Sequence, residues 1–450
     1  MGGGAACVVL PTHHAVSRST DINRFETMNR WKIALTPLVA ALLFGVFSMT
    51  GCDILDVENP NNLVEEDLGN SAAQAPMANG LEAATTRALS YILAPYSVAT
   101  DECTWVGSRD AWGQLDSGAI EFAGNEFTNQ AFPFVGEARW MSDNFKDRLE
   151  AFQAEGVVDT EALVRVYLYN AIIYTTIADV FDDFVIGSDR TEPAPPVGPA
   201  NMASLYDTAL GSVNSALALN PGDEWRLPLL GMKARIIYSK AVWAKVNPVD
   251  TGNPLVNAGT AEAAAALAEM GDDYVFNLIA DGGFQLSSYM AGQINDRLEF
   301  TFDDTWVQRN AAGNKVDAVT YPDMIDGVVH PYLKTFIENF VDERQYADLP
   351  VVSAREMHLI LAEGALASGG DFTTHINNLR ALDGLSDYNG QVDARALLEE
   401  SRAVNLFLQG RRLADMYRFG MTDARWTVNV PGTFLPITKI EIESNPLVDG

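Results

Sequence analysis

Apolar side chains recur at steps of three and four residues through much of the chain, the spacing that places them on one face of an α-helix. One such series begins near Thr160 and contains Leu163, Val166, Tyr167, Ile177, Ala178 and Phe181. A second series contains Leu230, Ala234, Ile237, Ala241 and Ala244, and a third contains Ala403, Phe407, Gly410, Ala414 and Tyr417. The pattern predicts a mostly α-helical protein with one helix at each series.

The predicted helices come in pairs that are separated by short breaks. The pairs are Glu137 to Glu155 with Thr160 to Asp182, Met202 to Leu219 with Leu229 to Val246, and Ala354 to Ser368 with Phe372 to Leu382. Each pair forms a hairpin, which buries its apolar face by packing against the next hairpin. We expect a single domain of stacked, tetratricopeptide-like helical hairpins, although the consensus and the regular period of that repeat are absent.

Long irregular segments separate the helices. They are Gly187 to Pro199, Asn247 to Thr260, and Gly282 to Pro331. Connections of this length are uncommon inside a compact domain and are usually either functional or disordered. We therefore expect a ligand to bind at these loops.

The N-terminal part has the form of a lipoprotein signal. A basic stretch after Met28 precedes the apolar run Ile33 to Phe47, and the small residues that follow end at Cys52. This order indicates a cleaved secretion signal whose cysteine is acylated, with Met28 as the initiator in place of Met1. We expect residues 1–51 to be removed, 52–62 to form a tether and 63–450 to form the domain. The alternative is an uncleaved anchor helix.

The charge of the chain excludes one class of partner. The sequence has 30 basic and 60 acidic residues, a formal charge of -30, which repels the phosphates of nucleic acids. The hydrophobic content of 48% is enough for a large core without disulfides or metals. Cys103 has no cysteine to pair with in the exported body, so we expect a buried free thiol.

Motifs of common catalysts do not occur in the chain. There is no G-x-S-x-G, H-E-x-x-H, Walker or G-x-G-x-x-G sequence, and His330, His358 and His375 lack metal-ligand spacing. The acidic residues near Asp303 and Asp317 fit no calcium-loop consensus. We expect no enzyme activity, no cofactor and no metal. An all-helical glycoside hydrolase with two facing carboxylates and a non-binding helical scaffold are the alternatives.

Two groups of aromatic and polar residues in the irregular segments are candidates for ligand binding. Sugars bind to flat aromatic rings with polar side chains beside them. The candidates are Trp105, Arg109, Asp110 and Trp112 in the first group, and Tyr289, Gln293, Asn295, Trp306 and Arg309 in the second. The alternative for each loop tryptophan is that it fixes its loop to the helical body. Trp140, Trp243 and Tyr417 lie in helical patterns and are expected in the core.

Four blocks near the C-terminus resemble the RagB/SusD family in order and spacing. They are Arg355 to Glu363, Ile376 to Leu385, Arg402 to Gly420, and Phe434 to Pro446, with looser similarity at Trp140 to Leu149 and Arg165 to Asp183. Ser401, Asn405 and Gln409 depart from the glutamates frequent in the family, so neutral hydrogen bonds are expected to replace ionic contacts to Arg402, Arg412 or Arg418. These arginines and Asp415 are expected to form a buried polar network that fixes helix packing.

The resemblance implies a function. Members of this family are outer-membrane lipoproteins that cover a SusC-like TonB-dependent transporter and pass oligosaccharides, or in some members peptides, to it. They carry no catalytic residues. By resemblance, this chain is expected to be lipid-anchored through Cys52 at the outer membrane, surface-exposed, and to bind such a ligand and such a transporter.

Overall fold

The computed structural model describes residues 67–189, 192–284 and 286–448, and most of these residues are helical. The α-helices are α1 (Gln74–Val98), α2 (Asp110–Asp116), α3 (Glu126–Glu155), α4 (Thr160–Val180), α5 (Ser204–Ala218), α6 (Asp223–Val246), α7 (Thr260–Leu267), α8 (Tyr289–Gly292), α9 (Pro331–Asp342), α10 (Ala354–Ser368), α11 (Phe372–Ala381), α12 (Ala394–Asn405), α13 (Arg412–Phe419) and α14 (Lys439–Ser444). The mostly helical fold class is thereby confirmed. The proposed signal, the tether and Cys52 lie outside the described residues.

Short strands form between the helices, and three of them lie within the segment Gly282 to Pro331, which was expected to be irregular. They are β1 (Cys103–Trp105), β2 (Val275–Leu278), β3 (Phe300–Phe302), β4 (Val307–Arg309), β5 (Val316–Val319) and β6 (Leu349–Ser353). They pair antiparallel as three two-stranded sheets, β1 with β3, β2 with β6 and β4 with β5. The segment 282–331 is therefore more ordered than expected, because strand pairing satisfies backbone groups that a loop would leave to water.

The three helical hairpins are confirmed as α3 with α4, α5 with α6, and α10 with α11. Local chemistry fixes where these helices begin and end. The Asn125 side chain accepts hydrogen bonds from Phe127 N and Thr128 N, so it caps α3, and Asp159 caps α4 in the same way. Gly156 ends α3 with φ 76°, a conformation that glycine adopts without steric cost.

Helix α4 lies at the centre of the helical stack. It is buried along nearly its whole length and packs against α1, α3, α5 and α6. Within the described residues, no helix has the length and apolar content needed to span a bilayer. Cys103 is a buried free thiol, as predicted.

The prediction of one continuous helix from Ala403 to Tyr417 is wrong. Helix α12 ends at Asn405 and α13 begins at Arg412, with left-handed residues between them at Leu408 (φ 59°) and Gly410 (φ 75°). The backbone N–H of Leu408 donates instead to the buried Glu102 carboxylate at 2.7 Å. A distant residue thus supplies the hydrogen bond that continuation of the helix would have supplied.

The predicted buried polar network is confirmed between α10, α12 and α13. Arg402 Nε donates to Asp415 at 2.8 Å, and Arg418 Nε donates to the other oxygen of Asp415 at 2.9 Å. Arg418 also pairs with Glu363, and both side chains are fully buried. The expectation that neutral hydrogen bonds replace the ionic contacts of these arginines is wrong. Arg402, Arg412 and Arg418 each keep a carboxylate partner.

Candidate functional site

The fold joins part of the first candidate group to part of the second. Strand β1 pairs with β3, and the Glu299 carboxylate that precedes β3 accepts hydrogen bonds from the backbone N–H groups of Ser108 and Arg109, each at 3.1 Å. These bonds hold Arg109 near Tyr289, whose hydroxyl lies in the field of Arg109, Arg297 and Glu299. Arg109 and Tyr289 therefore belong to one surface.

Three half-buried aromatic rings form the centre of this surface, which we call the aromatic platform: Tyr91, Phe134 and Tyr289. The rings of Tyr91 and Tyr289 are stacked, with centroids 3.9 Å apart and 17° between their planes. Phe134 packs against Tyr91 with a centroid distance of 4.5 Å. Each ring keeps an exposed part, and aromatic rings are the side chains on which sugar rings stack.

Polar groups surround the aromatic platform. The Tyr289 hydroxyl donates to Gln130 Oε1 at 3.3 Å, and Arg87 lies over the Phe134 ring at 4.8 Å from its centroid. Burial, helped by the nearby Tyr91, raises the pKa of Tyr289 to about 12, so its hydroxyl keeps its proton at neutral pH. Donors and acceptors thus stand beside apolar rings.

Arg109 is held in place by its contacts. Its guanidinium lies 4.9 Å from the centroid of Phe127 and pairs with Glu126 at the start of α3. Asp110 is exposed in the first turn of α2, next to Arg109. Trp105 is half-buried at the end of β1, with its ring so close to Gly113 that a Cβ there would lie 2.7 Å from it.

Two predicted ligand residues are covered by the protein, which corrects the expectation that they offer a face to a ligand. Trp112 is 0% exposed and stacks on Phe127, with centroids 3.7 Å apart. Trp306 is 1% exposed, and its indole N–H donates to the carbonyl of Asp101. Both rings fix their segments to the helical body, which is the alternative given above.

The remaining members of the second group also make internal contacts. Gln293 is 3% exposed, and Asn295 Nδ2 donates to the carbonyls of Phe340 and Arg344. Arg309 pairs with Asp304 within the β4–β5 hairpin. The structure therefore brings only Tyr289 of this group to the aromatic platform.

Sequence reasoning missed the helical members of the site. Tyr91 lies on α1, whereas Gln130 and Phe134 lie one turn apart on α3. Aromatic residues in helical patterns were assigned to the core, and this is confirmed for the buried Trp243 and Tyr417. Trp140 is only half-buried, so its assignment to the core is wrong.

A cleft lies between α9 and β2, apart from the aromatic platform. Its volume is about 260 Å³, and its lining includes Tyr332, Phe336, Glu343 and Asp348. Burial, with added repulsion between the two carboxylates, raises the pKa of Glu343, and burial raises that of Asp348. In the cleft and in the rest of the described residues, no three His, Cys, Asp or Glu side chains are grouped in a way that could hold a metal ion.

Comparisons with family models and with curated proteins find no match. Solved structures do match. A SusD superfamily protein from Bacteroides thetaiotaomicron is 12% identical with a TM-score of 0.61, covering 84% of this chain and 99% of that one. NanU from B. fragilis is 12% identical with a TM-score of 0.59, covering 87% and 98%.

A third similar structure is described by its ligand class. It is a SusD-like carbohydrate binding protein from Bacteroides vulgatus, 14% identical with a TM-score of 0.54, and the match covers 79% of this chain and 84% of that one. At such low identity the similarity concerns the arrangement of the backbone. It agrees with the four C-terminal sequence blocks that resemble the RagB/SusD family. This chain has the SusD-like fold.

Proposed function

We propose that this chain is a lipid-anchored outer-membrane protein that captures oligosaccharides and delivers them to a SusC-like TonB-dependent transporter. The observation that carries the binding role is the aromatic platform, with the stacked rings of Tyr91 and Tyr289 beside Arg109 and Gln130. The carbohydrate-binding description of a structure with the same fold supports it. A peptide ligand is the second possibility for the same surface, because aromatic rings also accept apolar side chains.

Calorimetry with a glycan panel tests the binding role. Removing one face of the stack by Tyr289→Ala takes about 1–2 kcal/mol of apolar contact from a bound sugar, or a loss of roughly 5- to 30-fold in affinity. The matched control is Tyr388→Ala, which removes a partly buried tyrosine packed against Phe372. Equal affinities of Tyr289→Ala and the native protein for every bound glycan would contradict the site.

The membrane anchor is tested at Cys52. Labelling with a radioactive or clickable fatty acid should mark the native protein and leave Cys52→Ser unmarked, because the thiol is the attachment point. The variant should then leave the membrane fraction. Acylation that persists in Cys52→Ser would contradict the proposed anchor.

Delivery requires a partner in the outer membrane. Mild detergent extraction and affinity purification of the full chain should recover a TonB-dependent barrel in equal amount. A protein recovered alone would argue for the scaffold alternative.

We propose binding without catalysis, since the chain lacks motifs of common catalysts. The hydrolase alternative rests on the cleft with Glu343 and Asp348, two carboxylates with raised pKa values in one concave site. Release of reducing sugar from a glycan panel, abolished by Glu343→Gln, would favour that alternative over ours.

A further inference from the structure

A large groove adjoins the aromatic platform along α3. Its volume is about 770 Å³, within the range of about 300–1,000 Å³ that is usual for small-molecule sites. Its lining includes Phe132, Pro133 and Trp140 of α3, Phe184, whose ring packs 4.8 Å from that of Phe132, and Ile440 of α14. Nothing in the sequence blocks or in the fold match assigns a role to this groove.

The aromatic platform and one edge of the groove lie on the same face of α3. Gln130, Phe134, Glu137 and Met141 recur at steps of three and four, so they lie on the same face. The first two contact Tyr289 and Tyr91, and the last two line the groove. This face runs for about 16 Å, at roughly 1.5 Å per residue, which is longer than one sugar ring.

An ion pair marks the point where the two surfaces meet. Arg87 lies over the Phe134 ring of the aromatic platform and pairs with Glu137, which lines the groove. Both side chains are about half exposed. They offer a donor and an acceptor to hydroxyl groups of a ligand that passes from one surface to the other.

Hydrogen bonds fix the walls of the groove to each other. Arg139 Nη1 and Trp140 Nε1 donate to the carbonyls of Gly187 and Ser188 in the segment after α4. Asn445 Nδ2 donates to the Ala194 carbonyl at 2.8 Å, which joins that segment to the end of α14. The N–H of Ile440 donates to Asn129 Oδ1 at 2.8 Å. The groove is therefore formed before any ligand arrives, which lowers the entropic cost of binding.

The charges in the groove select the class of ligand. Among the described residues of the lining, Glu137, Asp189, Glu192 and Glu441 contribute carboxylates, and the one arginine, Arg139, is buried and paired with Asp143. In this part of the lining, acidic side chains therefore outnumber basic ones. A neutral ligand rich in hydroxyl donors fits this surface, whereas a uronate would be repelled.

We infer that the groove is a second subsite for one extended ligand, a neutral oligosaccharide that stacks on the aromatic platform at one end and continues along α3 to Trp140. The inference rests on the proposed carbohydrate binding and adds the length and charge class of the ligand. It assigns Trp140 and Ile440 as residues that contact only longer chains.

The test is calorimetry of the full mature chain with neutral oligosaccharide series, namely cello-, xylo-, manno- and malto-oligosaccharides, from the disaccharide to the hexasaccharide. Oligogalacturonides serve as the anionic comparison. In the series that binds, the hexasaccharide should bind about tenfold more tightly than the disaccharide. Ile440→Arg, which fills the groove from an exposed position, should abolish this gain and leave disaccharide affinity unchanged.

A matched control separates the groove from a general effect of charge. Ile279 has the same exposed fraction as Ile440, 46%, and lies outside the groove, so Ile279→Arg should keep the full length dependence. Trp140→Ala should lose the gain as Ile440→Arg does, whereas Tyr289→Ala should weaken short and long chains alike. Circular dichroism melting confirms that each variant is folded.

Each outcome decides between the inference and the function on which it rests. Affinity that does not depend on chain length, a gain that survives Ile440→Arg, or tighter binding of oligogalacturonides would overturn the extended neutral subsite and leave carbohydrate binding in place. Failure of every glycan to bind would overturn the proposed function itself, and the subsite with it.

Discussion

Replacing Glu363 with glutamine tests how far the stability of the fold depends on the buried polar network. Glu363 accepts hydrogen bonds from Arg418 Nη2 at 3.0 Å and from Val256 N at 2.9 Å, and it also bonds Arg418 Nη1 and the Tyr238 hydroxyl. The positive charges of Arg402 and Arg418 are balanced by the carboxylates of Glu363 and Asp415. Glu363→Gln keeps the shape and removes one of the two negative charges.

The expected cost is large because the remaining charge has no access to water. Removing one partner of a buried ion pair costs about 3–5 kcal/mol, since the other partner stays buried without full compensation. Urea unfolding with linear extrapolation measures the loss. The control is Glu338→Gln, whose exposed partner is Lys334, and this variant should lose less than about 0.5 kcal/mol.

The pH dependence gives a second, independent readout of the same pair. Burial alone would raise the pKa of Glu363, but Arg418 and Arg402 lower it below the usual value of 4.5. A carboxyl with a lowered pKa in the folded state stabilises the protein above its unfolded pKa and loses that effect as the pH falls through the folded pKa. The difference between the native protein and Glu363→Gln should therefore shrink in acid. A loss at neutral pH no larger than that of Glu338→Gln would refute this account of the network.

Three further substitutions test other parts of the structure. Burial raises the pKa of Glu102 to about 7, so the folded form holds a proton that the unfolded form releases, and stability falls as the pH rises from about 4.5 to 7. Glu102→Gln should lack this slope, so its stability relative to the native protein should be roughly 3 kcal/mol higher at pH 8 than at pH 4 by urea unfolding. Gly410→Ala should cost about 2–4 kcal/mol, because φ is 75° and the added Cβ would lie 2.7 Å from Leu93 Cδ2, and a melting temperature within a degree of native would contradict this. Trp306→Ala should destabilise the fold by about 3–5 kcal/mol while leaving the glycan affinity of the folded protein unchanged, and a selective loss of affinity would restore Trp306 to the site.

The helical hairpins could be predicted because the signal for them is local. The spacing of apolar residues within each helix reports which face is buried, and Asp159 stands directly before α4, where its side chain caps the helix. The start of α3 was missed, because the helix begins at Glu126 after the cap Asn125, and not at Glu137. The break between α12 and α13 could not be predicted in this way. Apolar periodicity continues through Phe407 and Gly410, and the cause of the break is the carboxylate of Glu102, which lies 306 residues earlier in the chain than Leu408.

The candidate site was only partly predictable for the same reason. Residue types indicated which segments carry aromatic and polar side chains, and Arg109 and Tyr289 proved to lie on one surface. Their proximity depends on Glu299, which holds the backbone at Ser108 and Arg109 from 190 or more residues away. The helical residues Tyr91 and Phe134 had no distinguishing signal, because a half-exposed aromatic residue on a helix has the same local pattern as a buried one.

Buried aromatic residues position an exposed arginine at this surface. Trp112 stacks on Phe127, and the guanidinium of Arg109 lies over the same Phe127 ring, so a buried indole supports the ring that positions an exposed cation. Phe300, which packs against Trp112, follows Glu299 directly and is the first residue of β3, where it pairs with Trp105 of β1. One layer of core aromatics thus fixes both attachments of Arg109, its backbone through Glu299 and its side chain through Phe127. Because this layer restricts the conformation of Arg109 before a ligand binds, Arg109 would lose little conformational entropy on binding a sugar.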